Sequence, residues 1–250
     1  MRRWFAVGVT CCLISCLVVS AAGQAGNVVQ INVQVPKPGA NFEAGRKKHT
    51  AFHKAQKDAW NLMVWETMSG EGTGHFISGT FGHEWKDFDT REKFDAADAA
   101  DVAVNLAPVL AANQTSYWTY RQELSLTPES MPPAPMITVT HYFVHPEHLN
   151  QFQDAIKKVN EAIKKANYPA PPSRWYSLAN GGLGPHFVLV QDRKNFGDLK
   201  GPDKPLQDML EEVYGKGDGG AVLDAIRKSI DHTNSELLRY REDLSYMPAK

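Results

Sequence analysis

A nine-residue motif occurs twice, in similar form, in this chain of 250 residues, with the two copies 120 positions apart. The first copy is "YRQELSLTP" (120–128) and the second is "YREDLSYMP" (240–248). Two longer segments, "WETMSGEGTGHF" (65–76) and "WYSLANGGLGPHF" (175–187), also match with one insertion, which pairs Trp65 with Trp175 and His75 with His186. Because several landmarks recur in the same order, the sequence predicts a tandem repeat of one structural unit.

Each copy has the pattern strand, helix, strand, strand, helix, strand. The alternation of "VVQINVQV" indicates a first strand, and apolar residues at helical spacing follow it. We predict strands at 28–35, 62–68, 75–81 and 116–124, with helices over 41–60 and from a capping box at Asp89 and Glu92 to Leu106. In the second copy we predict strands at 136–144, 173–179, 186–192 and 236–244. Its helices are predicted at 149–163 and at 205–231, the latter interrupted by "GKGDGG".

The repeat and its flanking segments define four regions. Residues 1–25 carry a basic start, an apolar run and then small residues, which is the layout of a cleaved signal peptide. We predict the first repeat at 26–126, a proline-rich linker at 127–135 and the second repeat at 136–250. The leader predicts a secreted or periplasmic protein, cleaved after Ala22 or Ala25. A lipid anchor on Cys16, from the lipobox-like Leu13-Ile14-Ser15-Cys16, is the less favoured alternative.

Cysteine and charge exclude several function classes. All three cysteines, Cys11, Cys12 and Cys16, lie in the leader, so the exported chain is expected to have no disulfide and no cysteine nucleophile. Removing Arg2 and Arg3 leaves 25 basic and 28 acidic residues. With this balance and no basic stripe, we expect no nucleic-acid binding, and the apolar leader is too short to read as a membrane span. "GKGDGG" lacks the residues of a phosphate loop.

The element order resembles the dimeric α/β-barrel superfamily, in which ferredoxin-like units pair through their sheets. The resemblance covers about residues 28–246 and rests on internal symmetry, so it bears on fold more than on function. It implies an α+β protein in which two tandem ferredoxin-like βαββαβ units form an intrachain dimeric α/β barrel. The superfamily includes small monooxygenases, haem-degrading enzymes, chlorite dismutase-like haem proteins and stress proteins, and members place ligands between sheet and helices or between sheets. Oligomerisation beyond this intrachain pair is left open.

The first strand of each half carries a polar set of side chains. We expect Val29, Ile31, Val33 and Val35 to face the helices, so that the alternate positions face the partner sheet. A polar face there favours a wet ligand cavity, although a cross-sheet hydrogen-bond network or a facing shifted by one residue would also account for it. The candidate ligand-binding residues on this face are Gln30, Asn32, Gln34, Thr138, Thr140 and Tyr142.

Histidines and arginines supply the remaining candidates. His49 and His53 share one helix face at i, i+4 and are candidate metal ligands, with His75 as a third. The equivalent positions in the second half fall near Ile156 and Val159 or near Val159 and Ile163. We favour a hydrogen-bonded or solvated histidine pair over a metal site. His75 and His186 are candidate ligand contacts or residues that fix matching turns.

Arg121 and Arg241 either capture an anion in the cavity or form surface ion pairs with Glu123 and Asp243. Trp65 and Trp175 are expected in the core.

Three functions follow from these features. The first is an exported protein that binds a small molecule in an inter-sheet or sheet-helix cavity. The second is a haem- or metal-dependent monooxygenase-like enzyme that uses cavity histidines. The third is a structural or assembly module without a ligand. The sequence itself requires no cofactor, and haem or a divalent metal ion is compatible with the resemblance.

Overall fold

The computed structural model describes residues 26–127 and 133–248. The predicted leader, its cleavage sites and positions 128–132 of the predicted linker lie outside these ranges. The first half contains β1 (Val28–Pro36), α1 (Phe42–Ala55), β2 (Met63–Ser69), β3 (Phe76–His83), α2 (Trp85–Asp89), α3 (Glu92–Asn105) and β4 (Leu110–Tyr120). The second half contains β5 (Met136–Val144), α4 (Leu149–Lys165), β6 (Ser173–Asn180), β7 (His186–Arg193), α5 (Leu206–Tyr214), α6 (Lys216–Ser229) and β8 (Ile230–Tyr240).

The eight strands form one closed barrel in the order β1-β3-β2-β8-β5-β7-β6-β4. Each half contributes four antiparallel strands, and the halves join where β2 pairs with β8 and where β4 pairs with β6. Because the barrel is closed, none of these eight strands lies at a free sheet edge. The prediction of an α+β fold with two ferredoxin-like units in one barrel is confirmed. Among the described residues, no helix combines the length and the apolar character needed to cross a bilayer.

Apolar side chains fill three regions. One cluster lies inside the barrel and combines strands of both halves, with Trp65, Trp118 and Tyr176 among its members. A second region packs α4, α5 and α6 against the second sheet, around Phe152. The third, around Phe42, packs the helices of the first half against its own sheet. The sheet-helix layers are therefore occupied by packed side chains.

The repeated nine-residue motif, at 120–128 and 240–248, connects the two halves of the barrel. After β4 the chain forms a short 3-10 turn at Gln122–Leu124, and after β8 it forms the same turn at Glu242–Leu244. Both Leu124 and Leu244 are completely buried. The serine that follows each leucine accepts a backbone N–H from a strand of the other half. The motif is conserved between copies because each copy holds the opposite half.

Several boundaries differ from the prediction. Strands β4 and β8 begin at Leu110 and Ile230, six residues before the predicted starts, and both end at the tyrosine that precedes the 3-10 turn. Their first residues are mostly exposed and show no alternation of apolar and polar side chains, so the sequence pattern does not reveal them. Backbone pairing with β1 and β5 holds them in the sheet.

The helix boundaries also need correction. Helix α3 begins at Glu92 with Arg91 at its N-cap, so the predicted Asp89 box is wrong. The Asp87 carboxylate instead accepts the backbone N–H of Glu84 at the start of α2. The predicted break at 215–220 is confined to Gly215, because α6 begins at Lys216.

Candidate functional site

The barrel encloses a cavity of about 500 Å³ between the two sheets. Its walls are mostly apolar and come from both halves, with Val29, Trp65, Val139, Tyr176 and Leu238 among the lining residues. This size and composition are typical of pockets that bind small molecules.

The strand facing is the reverse of the prediction. Val29, Ile31 and Val33 line the cavity, as do Ile137, Val139, His141 and Phe143 on β5. The barrel interior, which both sheets surround, is the more apolar side of these strands. The polar alternates therefore face outward, toward the helix layers.

The six outward-facing candidates thus do not line the cavity. Asn32 Oδ1 accepts a hydrogen bond from Thr115 Oγ1 at 2.7 Å, and Thr140 and Ser235 hydroxyls lie 3.3 Å apart. Tyr142 packs against Phe152 and Trp175, and burial raises the pKa of its phenol. The remaining three candidates are the partly buried Gln30 and the two residues with buried oxygens that lack a hydrogen bond, Gln34 and Thr138.

Two polar atoms of cavity-lining residues are buried without a hydrogen-bond partner: Trp65 Nε1 and Thr67 Oγ1. A buried donor without an acceptor costs roughly 1–3 kcal/mol. Unpaired buried oxygens also occur on Gln34 and Thr138, which do not line the cavity, so the cavity is defined by its volume and its apolar walls rather than by these atoms.

One part of the cavity wall carries ionisable side chains. His141 Nε2 lies 4.0 Å from Glu236 Oε2, and His141 Nδ1 is hydrogen bonded to His186 Nε2 at 2.9 Å. Glu236 Oε1 accepts the backbone N–H of Gly72 at 3.0 Å. His75 and Glu71 line the same cavity. Three chain segments from both halves therefore place two carboxylates and two histidines along a mostly apolar wall.

Burial shifts the acid and the base of this group in opposite directions. It raises the pKa of the Glu236 carboxyl, against the hydrogen bond from Gly72. It lowers the pKa of His141, and burial together with the neighbouring His141 lowers the pKa of His186 to about 4. At neutral pH both imidazoles are therefore uncharged and able to accept a proton. Opposed shifts of this kind are common where proteins move protons.

The other candidate residues are placed as follows. His75 lines the cavity, and His186 reaches it through His141. Arg121 and Arg241 do not line it: each binds the acidic residue two positions further on, Glu123 or Asp243, as the ion-pair alternative predicted. Arg241 also binds Glu43 and Glu66, and the bond to Glu43 raises its pKa further above the ordinary range.

His49 and His53 lie on the opposite side of the first sheet, between α1 and α3, and are buried rather than solvated. Their side chains meet each other and Asp98.

The repeat alignment also needs one correction. Val64 accepts the backbone N–H of Arg241 and donates its own to Ser245, and Trp175 makes the same two bonds with Arg121 and Ser125. Trp175 therefore corresponds to Val64, and Tyr176 corresponds to Trp65. With this pairing the two segments align without an insertion. Both tryptophans are in the core as predicted, but Trp65 faces the cavity whereas Trp175 packs beneath α4.

The comparisons with known proteins identify the fold. No protein-family profile matches the chain, and no curated protein matches its sequence. An anthrone oxidase-like protein of known structure superposes with a TM-score of 0.57 at 10% identity, over 93% of this chain and 97% of that one. A candidate monooxygenase from Lactobacillus acidophilus NCFM gives 0.55 at 8% identity, over 90% and 97%.

A variant of chlorite dismutase from Candidatus Nitrospira defluvii gives 0.51 at 10% identity, over 84% of this chain and 91% of that one. The chain thus has the dimeric α/β-barrel fold. These likenesses at about 10% identity establish the fold alone.

Haem, which the resemblance raised, fits the cavity poorly. Its propionates call for cationic partners, whereas the polar wall carries Glu71 and Glu236. Among the described lining residues Arg174 is the one lysine or arginine, and it forms an ion pair with Asp192. We therefore assign no step to haem in this cavity.

Proposed function

We propose that this chain is an exported protein that binds a small, largely apolar molecule inside its barrel. The observation that carries the proposal is the cavity of about 500 Å³, whose walls are mostly apolar and carry the ionisable side chains of Glu71, His141 and Glu236. An apolar ligand would gain from burial there, and a single polar group on it would be oriented by the His141–Glu236 pair. The leader sequence supports export.

Binding is tested with the neutral fluorescent probe N-phenyl-1-naphthylamine. We expect saturable binding at one site per chain. Val139→Phe should weaken it at least tenfold, because the phenyl ring would occupy the cavity that Val139 lines. Thr140→Phe is the matched control, since the adjacent residue points away from the cavity. No saturable binding, or equal binding by both variants, would contradict the proposal and favour the structural-module alternative.

An enzymatic role is the second candidate, supported by the His141–Glu236 pair against the cavity wall. An uncharged His141 or an ionised Glu236 is suited to remove a proton from a bound carbon acid. The likeness to an anthrone oxidase-like protein suggests anthrone as a test substrate, an apolar tricyclic ketone with an acidic methylene. Its oxidation consumes one O2 and gives anthraquinone and water, with the enzyme's part limited to removing the methylene proton.

Anthraquinone formation is followed by absorbance against the rate without protein. We expect His141→Ala and Glu236→Gln each to lower the catalysed rate by 10²-fold or more while probe binding is retained. The matched control is His232→Ala, an exposed histidine that is not among the cavity-lining residues. A rate in wild-type protein no greater than background would exclude anthrone, and unchanged rates in both cavity variants would exclude this pair as the base.

A further inference from the structure

Outside the barrel, two histidines of α1 and a carboxylate of α3 converge on one point. His49 Nε2 and His53 Nε2 are 3.1 Å apart, and both rings are almost completely buried. Asp98 Oδ1 lies 3.1 Å from His53 Nε2 and 3.7 Å from His49 Nε2. This oxygen is buried, and the contacts are too misaligned to count as hydrogen bonds.

The hydrogen bonds of the two Nδ1 atoms determine the protonation of the Nε2 atoms that face Asp98. His49 Nδ1 is 2.8 Å from Asp101 Oδ2, and His53 Nδ1 is 2.7 Å from Asp58 Oδ2. An ionised carboxylate only accepts hydrogen bonds, so each Nδ1 carries a proton that it donates. In the neutral rings each Nε2 therefore presents a lone pair. Two such nitrogens and the Asp98 oxygen face one another, an arrangement that requires a cation or a shared proton between them.

The outer carboxylates are themselves fixed. Arg91 donates two hydrogen bonds to Asp58, at 2.8 and 2.6 Å, and the backbone N–H of Trp60 donates a third. Asn105 Nδ2 donates to Asp101 at 2.8 Å. Histidines whose second nitrogen binds a held carboxylate are the usual outer arrangement of protein metal sites, where that partner orients the ring.

The second half of the chain shows that packing alone does not require these histidines. Thr50 Oγ1 donates to the Leu244 carbonyl, and Asn160 Nδ2 donates to the Leu124 carbonyl, so Thr50 corresponds to Asn160. His49 and His53 then correspond to Val159 and Ile163, which are ordinary core residues of α4. Two positions that are apolar in the second repeat therefore carry a facing pair of imidazoles in the first.

The surrounding charge suits a cation. Three carboxylates, on Asp58, Asp98 and Asp101, face two guanidinium groups, on Arg91 and the fully buried Arg46. The set is therefore one charge negative before any proton or ion is added. The Asp98 side chain is 31% exposed, which gives a route from solvent to the point.

From this geometry we propose that His49, His53 and Asp98 bind one divalent first-row transition metal ion, represented by Zn²⁺. Two imidazole nitrogens and one carboxylate oxygen are a donor set for Zn²⁺, Co²⁺ or Fe²⁺ rather than for Ca²⁺ or Mg²⁺. Nitrogens at 2.0–2.1 Å from a tetrahedral ion are about 3.4 Å apart, close to the observed 3.1 Å. Solvent at the Asp98 side would complete the coordination.

The metal-free alternative is a proton shared by the two rings. Burial lowers the pKa of His53, but the carboxylates of Asp58 and Asp98 outweigh it and raise the pKa above its ordinary value. Burial and the charge of Arg46 lower the pKa of His49 to about 4. A protonated His53 that donates to a neutral His49 would satisfy the two rings without a metal ion, so the test must separate these states.

The test uses untagged protein that has been treated with a chelator, dialysed and titrated with Co²⁺. We expect one equivalent to bind with the visible absorption of a four- or five-coordinate site, and Zn²⁺ to displace it and raise the melting temperature. Asp98→Asn should weaken binding at least tenfold, and Asp101→Asn should weaken it 10–100-fold. The control Glu92→Gln, which changes an exposed carboxylate at the start of the same helix, should bind as wild type.

The double variant His49→Val/His53→Ile reproduces the side chains of the second half, so it is expected to fold. It should bind no Co²⁺ at this stoichiometry. Binding by the double variant equal to that of wild type, or no Co²⁺ absorption in the folded wild-type protein, would overturn the proposal in favour of the shared proton. Neither outcome depends on the barrel cavity or its ligand.

Discussion

Ser125 Oγ accepts the backbone N–H of Trp175 at 2.9 Å, and thereby fixes the end of the first half to a strand of the second. The hydroxyl donates in turn to the Arg121 carbonyl at 2.8 Å. Ser245 makes the equivalent bonds to Val64 and Arg241, at 2.9 and 2.8 Å. The two serines therefore join the halves at the two places where the barrel closes.

We predict that Ser125→Ala and Ser245→Ala each lower the free energy of unfolding by about 1–3 kcal/mol, because a buried N–H loses its acceptor. The two losses should add, since the sites are far apart. Urea unfolding measures both. Ser235→Ala, in an exposed part of β8, is the control and should change stability by less than about 0.5 kcal/mol.

Gly181 is a second point of contact between the halves. Its φ is +92°, and a Cβ there would lie 2.6 Å from the Thr115 carbonyl oxygen and 2.8 Å from the Ser116 Cα. Gly181→Ala should destabilise the protein by roughly 2 kcal/mol or more, because both the backbone conformation and the neighbouring strand oppose it.

Gly220→Ala is the matched control. Gly220 lies within α6, and nothing is within 4 Å of its added Cβ. Alanine is favoured over glycine in a helix, so this change should stabilise by about 0.5–1 kcal/mol. A loss of stability in Gly220→Ala, or none in Gly181→Ala, would contradict the two placements.

His83 should make stability depend on pH in mildly acidic solution. Its ring stacks on Trp60 and is hydrogen bonded to Thr80, and burial lowers its pKa to about 4. Because the unfolded chain takes up the proton near pH 6.5, this contribution is complete above that pH and is lost as the pH falls toward 4. The loss is at most about 3 kcal/mol.

Urea unfolding between pH 7 and pH 4.5 measures this dependence. His83→Gln should have a shallower decline over that window than wild type, whatever its absolute stability. His232→Gln, which changes an exposed histidine, should retain the wild-type slope. Equal slopes in all three proteins would mean that His83 is protonated at no cost to the fold.

Arg241 and Arg121 occupy equivalent positions but should contribute unequally. Arg241 binds Glu43, Glu66 and Asp243, which lie on three separate elements. Within residues 26–127 and 133–248, the one carboxylate that pairs with Arg121 is that of Glu123. Arg241→Met should cost about 2 kcal/mol and Arg121→Met about 1 kcal/mol or less, since partly exposed pairs are screened by solvent. Thermal melts at low and high salt should show that the difference shrinks as salt rises.

The sequence predicted the fold because the repeat and the element order are local patterns. The strand facing was not predictable in the same way, because β1 and β5 carry buried positions on both faces, and the more apolar face belongs to the barrel interior rather than to the helices. With that facing reversed, His141 would have been recognised as a cavity residue. Glu236 opens the predicted strand at 236–244, but the sequence does not indicate that its side chain faces the cavity beside His141.

The histidine pair was visible from its spacing, but its partners were not. Asp58 lies in the turn that follows α1, whereas Asp98 and Asp101 lie on α3, so only the packing of the two helices brings these last two carboxylates to the rings. Helix spacing indicates which residues share a face, and it does not indicate what the neighbouring helix presents to them.

Because both halves of the barrel belong to one polypeptide, the two copies are free to differ. A pair of identical subunits would present every side chain twice, so a change that suits one copy is imposed on the other. Here His49 and His53 occupy the positions that Val159 and Ile163 occupy in the other repeat. In the cavity wall, His141 belongs to one half and Glu71 to the other. Joining the units end to end therefore lets one copy keep apolar residues where the other has a buried histidine pair, a difference that two identical subunits could not have.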